Sequence, residues 1–135
     1  GDEVLMADPC YPCNRHFVRM FEGKARLIPV DARQGYQPSA TDIARHWSPS
    51  TRGVLIASPS NPTGTSITRD ELSRTLDVVR RHKGFALVDE IYQGLTYEDK
   101  PYTALELGDD IIDLSLQLGD VELLIHPAQF GFVFA

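Results

Sequence analysis

The sequence predicts an α/β fold, a mostly parallel β-sheet with helices on both of its faces. Two observations lead to this prediction. Short apolar segments of the kind that form buried strands alternate along the chain with longer segments of helical periodicity. Strands separated by helices usually pair in parallel, because the crossover helix returns the chain to the same end of the sheet. The chain has 135 residues, which is enough for one domain with a substantial core.

Four strands and the beginning of a fifth are predicted from short runs of aliphatic and β-branched residues. Each run is bounded by glycine, proline or charged residues, which mark turns between elements. The predicted strands lie at residues 4–7, 26–30, 53–57, 85–89 and 109–112.

The first predicted helix follows the first strand. It begins at Pro12, because proline is well tolerated in the first turn of a helix, and it ends before Gly23. Its apolar side chains include Phe17 and Phe21, which we expect to lie in the core.

Two further helices are predicted downstream. The second covers residues 39–47, with Ser39 or Thr41 as its N-cap and Trp47 in the core. The third begins with the motif T-R-D-E, a capping box in which the threonine and glutamate satisfy each other's backbone N–H groups. A run with helical periodicity follows this motif and ends near residues 83–84.

The composition argues against several kinds of partner. Thirteen Lys and Arg face 19 Asp and Glu, which gives a net charge of −6. Nucleic acids and anionic membranes attract clustered positive charge, so neither is expected as a partner. No apolar run approaches the roughly 20 residues that a membrane-spanning helix needs. Two cysteines do not suggest a disulfide framework, and the cytoplasm is therefore the default location.

The N-terminus carries neither an initiator Met nor a signal sequence. Gly1 leads almost directly into the first strand. We interpret this as an internal fragment of a longer protein.

Unusual polar residues follow two of the predicted strands, at the carboxyl ends where parallel α/β sheets bind ligands. After strand 53–57, the segment S-P-S-N-P-T-G-T forms a rigid turn that raises Asn61 to the rim of the sheet. Strand 85–89 ends in Asp89, a carboxylate that is costly to bury without a partner. Taken singly, these are explained by an ordinary loop and by a capping or ion-paired aspartate. Their combination is more specific.

The motifs S-P-S-N-P-T-G-T and L-V-D-E-I-Y, together with D-P-C-Y-P upstream, resemble the class I/II aminotransferases of the fold-type I pyridoxal-phosphate-dependent family. The resemblance runs from about Gly1 to Ile112. It implies that residues 1–112 are part of the large domain of such an enzyme. The implied reaction is amino-group transfer between an amino acid and a 2-oxo acid, and the implied cofactor is pyridoxal 5'-phosphate.

The resemblance also implies a role for each of four residues in holding the cofactor. Asp89 would face the protonated ring nitrogen, which must keep its proton for the ring to accept electrons. Asn61 and Tyr92 would donate hydrogen bonds to the phenolic oxygen of the ring. Tyr11 would stack on the ring face.

The resemblance ends after Ile112. In the family, a serine-rich loop with the Schiff-base lysine follows, and then an arginine that binds the cofactor phosphate. Residues 113–135 contain neither S-x-x-K nor G-x-R, and the three lysines, Lys24, Lys83 and Lys100, lie in other contexts. We interpret this divergent tail as the product of a frameshifted, truncated or misjoined reading frame. We therefore assign no catalytic residue and expect the chain to be inactive as a transaminase.

Two alternatives remain open. A non-catalytic α/β binding module or pseudo-enzyme fragment would have the same fold. Cys10 and Cys13 form a C-x-x-C motif at a helix start, which is typical of thiol-redox domains. Two incidental thiols beside Tyr11 explain the same motif.

The histidines of the sequence do not indicate a metal site, because they lack the spacing of metal ligands. They are His16, His46, His82 and His126. The family resemblance implies that the full-length protein binds a small amino acid and a 2-oxo acid. It also implies a homodimer.

Overall fold

A single parallel β-sheet forms the centre of the molecule. The computed structural model describes residues 1–96 and 102–114. Of the predicted tail 113–135, only the first two residues therefore belong to the described part of the chain. The strands of the sheet are β1 (Glu3–Asp8), β2 (Lys24–Pro29), β3 (Thr51–Ala57), β4 (Phe85–Asp89) and β5 (Ile111–Leu114).

The strand order is β2-β1-β3-β4-β5, and every neighbouring pair is parallel. The predicted mostly parallel sheet is confirmed. The chain moves from β1 outward to β2 and then crosses back to β3 on the other side of β1. This reversal creates a topological switch point between β1 and β3, which is where open α/β sheets place their ligands.

The helices are α1 (Pro12–Met20), α2 (Ala40–His46) and α3 (Arg69–Arg81). Crossovers between parallel strands are right-handed, so a reversal of direction moves the connecting helix to the opposite face of the sheet. The connection through α1 runs one way along the sheet, and those through α2 and α3 run the other way. Helix α1 therefore lies on one face, and α2 and α3 lie together on the other.

The core lies between the sheet and the pair α2–α3. The strand residues Leu5, Val54 and Val88 are fully buried there. Leu72 from α3 and Ile43 from α2 are buried in the same cluster. Both helices thus cover their face of the sheet with apolar side chains, and the burial of these side chains stabilises the fold.

The face of α1 is different, and here the prediction of core residues is wrong. Phe17 is 55% exposed, Met20 75% and Phe21 70%. The periodicity of these apolar residues predicts an amphipathic helix correctly, but it does not reveal whether a partner covers the apolar face. Trp47 does pack against the core, as predicted, and it stacks on the ring of His82 with 4.6 Å between ring centroids.

Helix α1 and helix α3 end in the same way. A residue with positive φ follows each helix, Glu22 after α1 and Lys83 after α3, and in each case a glycine comes next. The backbone N–H of Gly84 binds the carbonyl oxygen of Val79. A Cβ atom on Gly84 would lie 2.5 Å from the Trp47 ring, so glycine is needed there for close approach.

The caps of α2 and α3 show one further difference. Ser39 caps α2 in a complete capping box with Asp42. The Thr68 side chain caps α3 by accepting from the backbone N–H of Glu71. The carboxylate of Glu71 does not complete the box but accepts from the backbone N–H of Ala40, at 2.6 Å. This bond ties the first turn of α2 to α3.

None of the helices in the described ranges is long and apolar enough to cross a membrane.

Candidate functional site

The four candidate residues lie at one edge of the sheet, beyond the carboxyl ends of three neighbouring strands. Tyr11 follows β1 and forms the N-cap position of α1. Asn61 lies in the loop after β3. Asp89 is the last residue of β4, and Tyr92 lies in the turn that follows it. Because β1, β3 and β4 are adjacent in the sheet, these side chains come from consecutive strand ends.

Asp89 is partly buried and is held in place by the loop after β3. Asp89 pairs with Ala57 in the sheet register, and its backbone carbonyl oxygen accepts from the backbone N–H of Ser58 at 2.9 Å. Its carboxylate oxygen Oδ1 accepts from the backbone N–H of Ile91 at 3.2 Å. Desolvation raises the pKa of the Asp89 carboxyl, and the hydrogen bond from Ile91 offsets part of that rise. A positively charged partner would favour its ionised form.

The loop that carries Asn61 is closed by its own backbone. Ser60 donates its backbone N–H to Thr65, and Gly64 donates its own to Ser60 at 2.7 Å. Gly64 has a φ of +69°, which suits glycine. The peptide bonds before Pro59 and Pro62 are both cis. Asn61 therefore lies in a compact loop whose backbone is fixed by the hydrogen bonds of Ser60 and Gly64.

Gln37 is a supporting residue that the sequence did not single out. Its side chain is buried, and its Nε2 donates to the carbonyl oxygens of Ala57 at 3.1 Å and of Thr65 at 2.9 Å. These bonds fasten the Asn61 loop at both ends. Gln37 lies in an irregular segment after β2, where neither hydrophobic periodicity nor a turn motif marks it.

Tyr11 and Tyr92 are close enough for their charges to interact. Tyr11 is 41% exposed and Tyr92 37% exposed. The pKa of the Tyr11 hydroxyl is raised, first by hydrogen bonding to the Cys13 side chain and then by the charges of Cys13 and Tyr92 with some desolvation. Both rings are thus accessible at the rim, and the interaction with Cys13 helps to orient Tyr11.

Two cavities are described in the molecule, and they differ in size and lining. The cavity at the switch point has a volume of about 10 Å³ and is lined by Cys10, Asn14, Gln37 and Ser60 among others. It has room for about one water molecule. A larger cleft of about 420 Å³ lies beside Glu90 and Tyr102, and none of the four candidate residues is among its described lining. The four candidate residues therefore lie outside the described linings of both cavities.

The C-x-x-C motif lacks one property of reactive thiols. Cys10 and Cys13 are both free and half-buried. Burial raises the pKa of the Cys10 thiol, and the charge of Arg15 offsets this only in part. Redox-active cysteines at helix starts have a lowered pKa, because the thiolate is the reactive form. The structure therefore favours the interpretation of incidental thiols at Cys10.

Comparison with known proteins identifies the family of the chain. Residues 1–121 match the family described as aminotransferase class I and II. The chain is 38% identical over 104 residues to the valine–pyruvate aminotransferase of Mycobacterium tuberculosis, covering 77% of this chain and 26% of that protein. It is 31% identical over 116 residues to the glutamate–pyruvate aminotransferase AlaA of Escherichia coli, covering 85% and 29%.

Solved structures show the same similarity. An aminotransferase from Mycobacterium tuberculosis superposes with a TM-score of 0.78 at 33% identity, covering 85% of this chain and 30% of that one. The aspartate aminotransferase of Rhizobium meliloti gives a TM-score of 0.76 at 32% identity, covering 85% and 29%. The chain thus spans somewhat more than a quarter of the length of these relatives. By its sequence and its fold, the chain belongs to the class I and II aminotransferases.

Proposed function

We propose that this chain holds the ring of pyridoxal 5'-phosphate at the carboxyl ends of β1, β3 and β4. The observation that carries the proposal is the half-buried carboxylate of Asp89 at the end of β4, flanked by Asn61 and by two accessible tyrosines. Aminotransferases depend on this cofactor, whose ring withdraws electrons from the substrate when its nitrogen is protonated.

The donor set fits such a ring. A carboxylate in a partly desolvated place favours a cationic partner, since the two charges stabilise each other. The raised pKa of Asp89 is the expected property of a carboxyl whose cation is supplied by a ligand. Asn61 and Tyr92 add neutral hydrogen-bond donors nearby.

Each residue then has a distinct task. Asp89 keeps the proton on the ring nitrogen. Asn61 and Tyr92 donate to the phenolic oxygen and fix the rotation of the ring in its plane. Tyr11 covers one ring face and excludes water from it. Gln37 acts indirectly by holding the loop that presents Asn61.

We further propose that this chain binds the ring without transferring amino groups. Its three lysines are Lys24, Lys83 and Lys100. Lys24 begins β2, and Lys83 follows α3; residues 97–101 and 115–135 lie outside the described residues. Proton transfer at the substrate α-carbon requires a positioned amine. Amino-group transfer, the amino acid and 2-oxo acid substrates and a homodimer are proposals for a longer protein that contains this segment.

The test is a titration of the purified chain with pyridoxal 5'-phosphate. Binding is measured by the quenching of tyrosine and Trp47 fluorescence and, independently, by equilibrium dialysis. We expect saturable binding that the Asp89→Asn substitution weakens. Binding by a non-specific surface amine would instead survive this substitution and disappear on reductive methylation of the lysines. A parallel assay for 2-oxo acid formation from an amino acid should show none. Measurable turnover would overturn the second proposal and leave the first intact.

A further inference from the structure

The first turn of α1 contains a buried amide group whose donor is unpartnered. Asn14 is 5% exposed, and its backbone N–H donates to the carbonyl oxygen of Tyr11 at 3.1 Å. Its side-chain Nδ2 is buried and has no hydrogen-bond partner among the described residues. Burying an amide N–H without an acceptor is costly, because the hydrogen bonds that it makes with solvent in the unfolded chain are not replaced. The side chain of Asn14 therefore calls for an acceptor beside it.

Asn14 lines the small cavity at the switch point between β1 and β3. The other residues of this lining come from β1 and β3, from the start of α1, from the segment before α2 and from the loop that carries Asn61. The volume of the cavity, about 10 Å³, is close to what a single water molecule needs. The cavity therefore admits only a very small ligand.

Two further polar side chains line the cavity, and both are buried. Gln37 is 8% exposed and Ser60 is 7% exposed. The Nε2 atom of Gln37 donates to the carbonyl oxygens of Ala57 and Thr65, which leaves the amide oxygen as the acceptor of this side chain. The backbone of Ser60 is bonded to Thr65 and Gly64 within the loop, and its hydroxyl group can both donate and accept. The lining thus combines one unpartnered donor with two groups that can accept.

The chemistry of the lining favours water over an ion. The described lining contains no Asp or Glu, whose carboxylates hard metal ions prefer, and no Lys or Arg that would compensate an anion. Cys10 also lines the cavity, but burial raises the pKa of its thiol, and a thiol binds soft metal ions only after it has lost its proton. A purely apolar cavity stays dry, whereas a buried water typically makes about three hydrogen bonds to polar groups around it. The polar side chains of this cavity match the second case.

We propose that this cavity binds one water molecule as a permanent part of the fold. The water accepts a hydrogen bond from Nδ2 of Asn14 and donates hydrogen bonds to the amide oxygen of Gln37 and to the hydroxyl oxygen of Ser60. It thereby connects α1 to the segment before α2 and to the loop after β3. Gln37 already fastens this loop by two direct bonds, and the water extends that connection to the helix that follows Tyr11. The proposal does not depend on cofactor binding.

The first test detects the water beside Asn14 in the full chain labelled with ¹⁵N. The side-chain amide protons of Asn14 are assigned through the backbone, and nuclear Overhauser effects from water to these protons are recorded in the laboratory and the rotating frame, so that proton exchange is recognised. We expect an effect of the same sign as those between protein protons, which indicates a water that tumbles with the protein. The side-chain amide of Gln34 is the internal control, since Gln34 is exposed and its hydration water exchanges rapidly. No effect at Asn14, or an effect like that at Gln34, would overturn the proposal.

The second test counts the long-lived waters of the chain. Relaxation dispersion of ¹⁷O in the solvent gives the number of water molecules that stay bound for longer than the chain takes to tumble. Asn14→Leu replaces the amide group by an apolar group of similar size and should remove one such water per chain. Gln34→Leu makes the matched replacement at an exposed amide and should keep the wild-type number. Equal numbers in the wild type and in Asn14→Leu would contradict the proposal. If Asn14→Leu does not fold, the Overhauser effect at Asn14 in the wild type decides the question.

Discussion

The backbone N–H of Ser58 donates to the carbonyl oxygen of Asp89 at 2.9 Å, which extends the pairing of β3 and β4 by one residue. The hydroxyl of Ser58 accepts from the backbone N–H of Ile67 at 3.1 Å, so the same residue also fixes the far end of the loop. The position of Asn61 relative to Asp89 is therefore set by the backbone N–H and the hydroxyl group of a buried serine. This arrangement places an amide and a carboxylate on neighbouring strand ends with little freedom.

Replacing Asp89 with asparagine should weaken binding of pyridoxal 5'-phosphate by about 10- to 100-fold, because a charge-assisted hydrogen bond to the ring nitrogen becomes a neutral one. Fluorescence titration measures the change. Asp70→Asn is a matched control, since Asp70 is exposed in the first turn of α3. Equal affinity in the wild type and both variants would remove Asp89 from the site.

Binding should also depend on pH through Asp89. Desolvation raises the pKa of this carboxyl in the free chain. As the pH falls through that pKa, Asp89 becomes protonated and loses its attraction for the protonated ring nitrogen. The affinity for the cofactor should therefore fall on the acidic side, and the Asp89→Asn variant should not show that fall. Titrations at a series of pH values measure this difference.

Tyr11→Ala should lower the affinity by roughly fivefold, corresponding to the loss of about 1 kcal/mol of aromatic stacking. Tyr11→Phe keeps the ring and should bind within about twofold of the wild type. The contrast separates stacking from the hydrogen bond to Cys13. A loss of affinity in the phenylalanine variant as large as in the alanine variant would assign the role to the hydroxyl group.

Gln37→Leu should destabilise the fold by about 1–3 kcal/mol, because two partly buried carbonyl oxygens, those of Ala57 and Thr65, lose this donor. It should also weaken cofactor binding by loosening the loop that carries Asn61. Gln34→Leu is the control, since Gln34 is exposed and its side chain donates to the carboxylate of Asp42 at the surface. Urea unfolding and the fluorescence titration together measure both effects.

The contact between Glu71 and α2 should appear as a loss of stability in acid. Desolvation raises the pKa of Glu71, but hydrogen bonds from the Ala40 backbone and from Arg74 outweigh it and lower the pKa overall. Stability from this group is present above the ordinary pKa of 4.5 and is lost as the pH falls through the lower folded value. Glu71→Gln should therefore be less stable than the wild type at pH 6. The two curves of unfolding free energy against pH should converge in strong acid, and a constant difference would contradict this account.

The sheet and its order of elements follow from sequence patterns that act locally. Apolar runs such as 53–57 and 85–89 have strand length and are bounded by turn residues, so their existence was predictable. The motif residues Asn61 and Asp89 were predictable because strand ends gather at one edge. The roles of these two residues, the boundary at residue 112 and the origin of the tail stay predictions.

Other features depend on tertiary contacts that leave no local pattern. Glu22 adopts a positive φ, and the glycine next to it does not. Gly23 is instead needed for close packing against Val18. The hydrogen bonds of the Gln37 and Glu71 side chains form only when segments that are distant in sequence come together in the fold. The exposure of Phe17 could not be read from its helix, because amphipathic periodicity describes a helix and not its surroundings.

The apolar side chains exposed on and just after α1 favour association between copies of the chain in solution. They belong to Phe17, Met20 and Phe21, while the net charge of −6 keeps copies apart. Added salt screens that repulsion and leaves the apolar attraction in place, so self-association should increase with ionic strength. Dilute, low-salt buffers are therefore the conditions in which light scattering should find a single species.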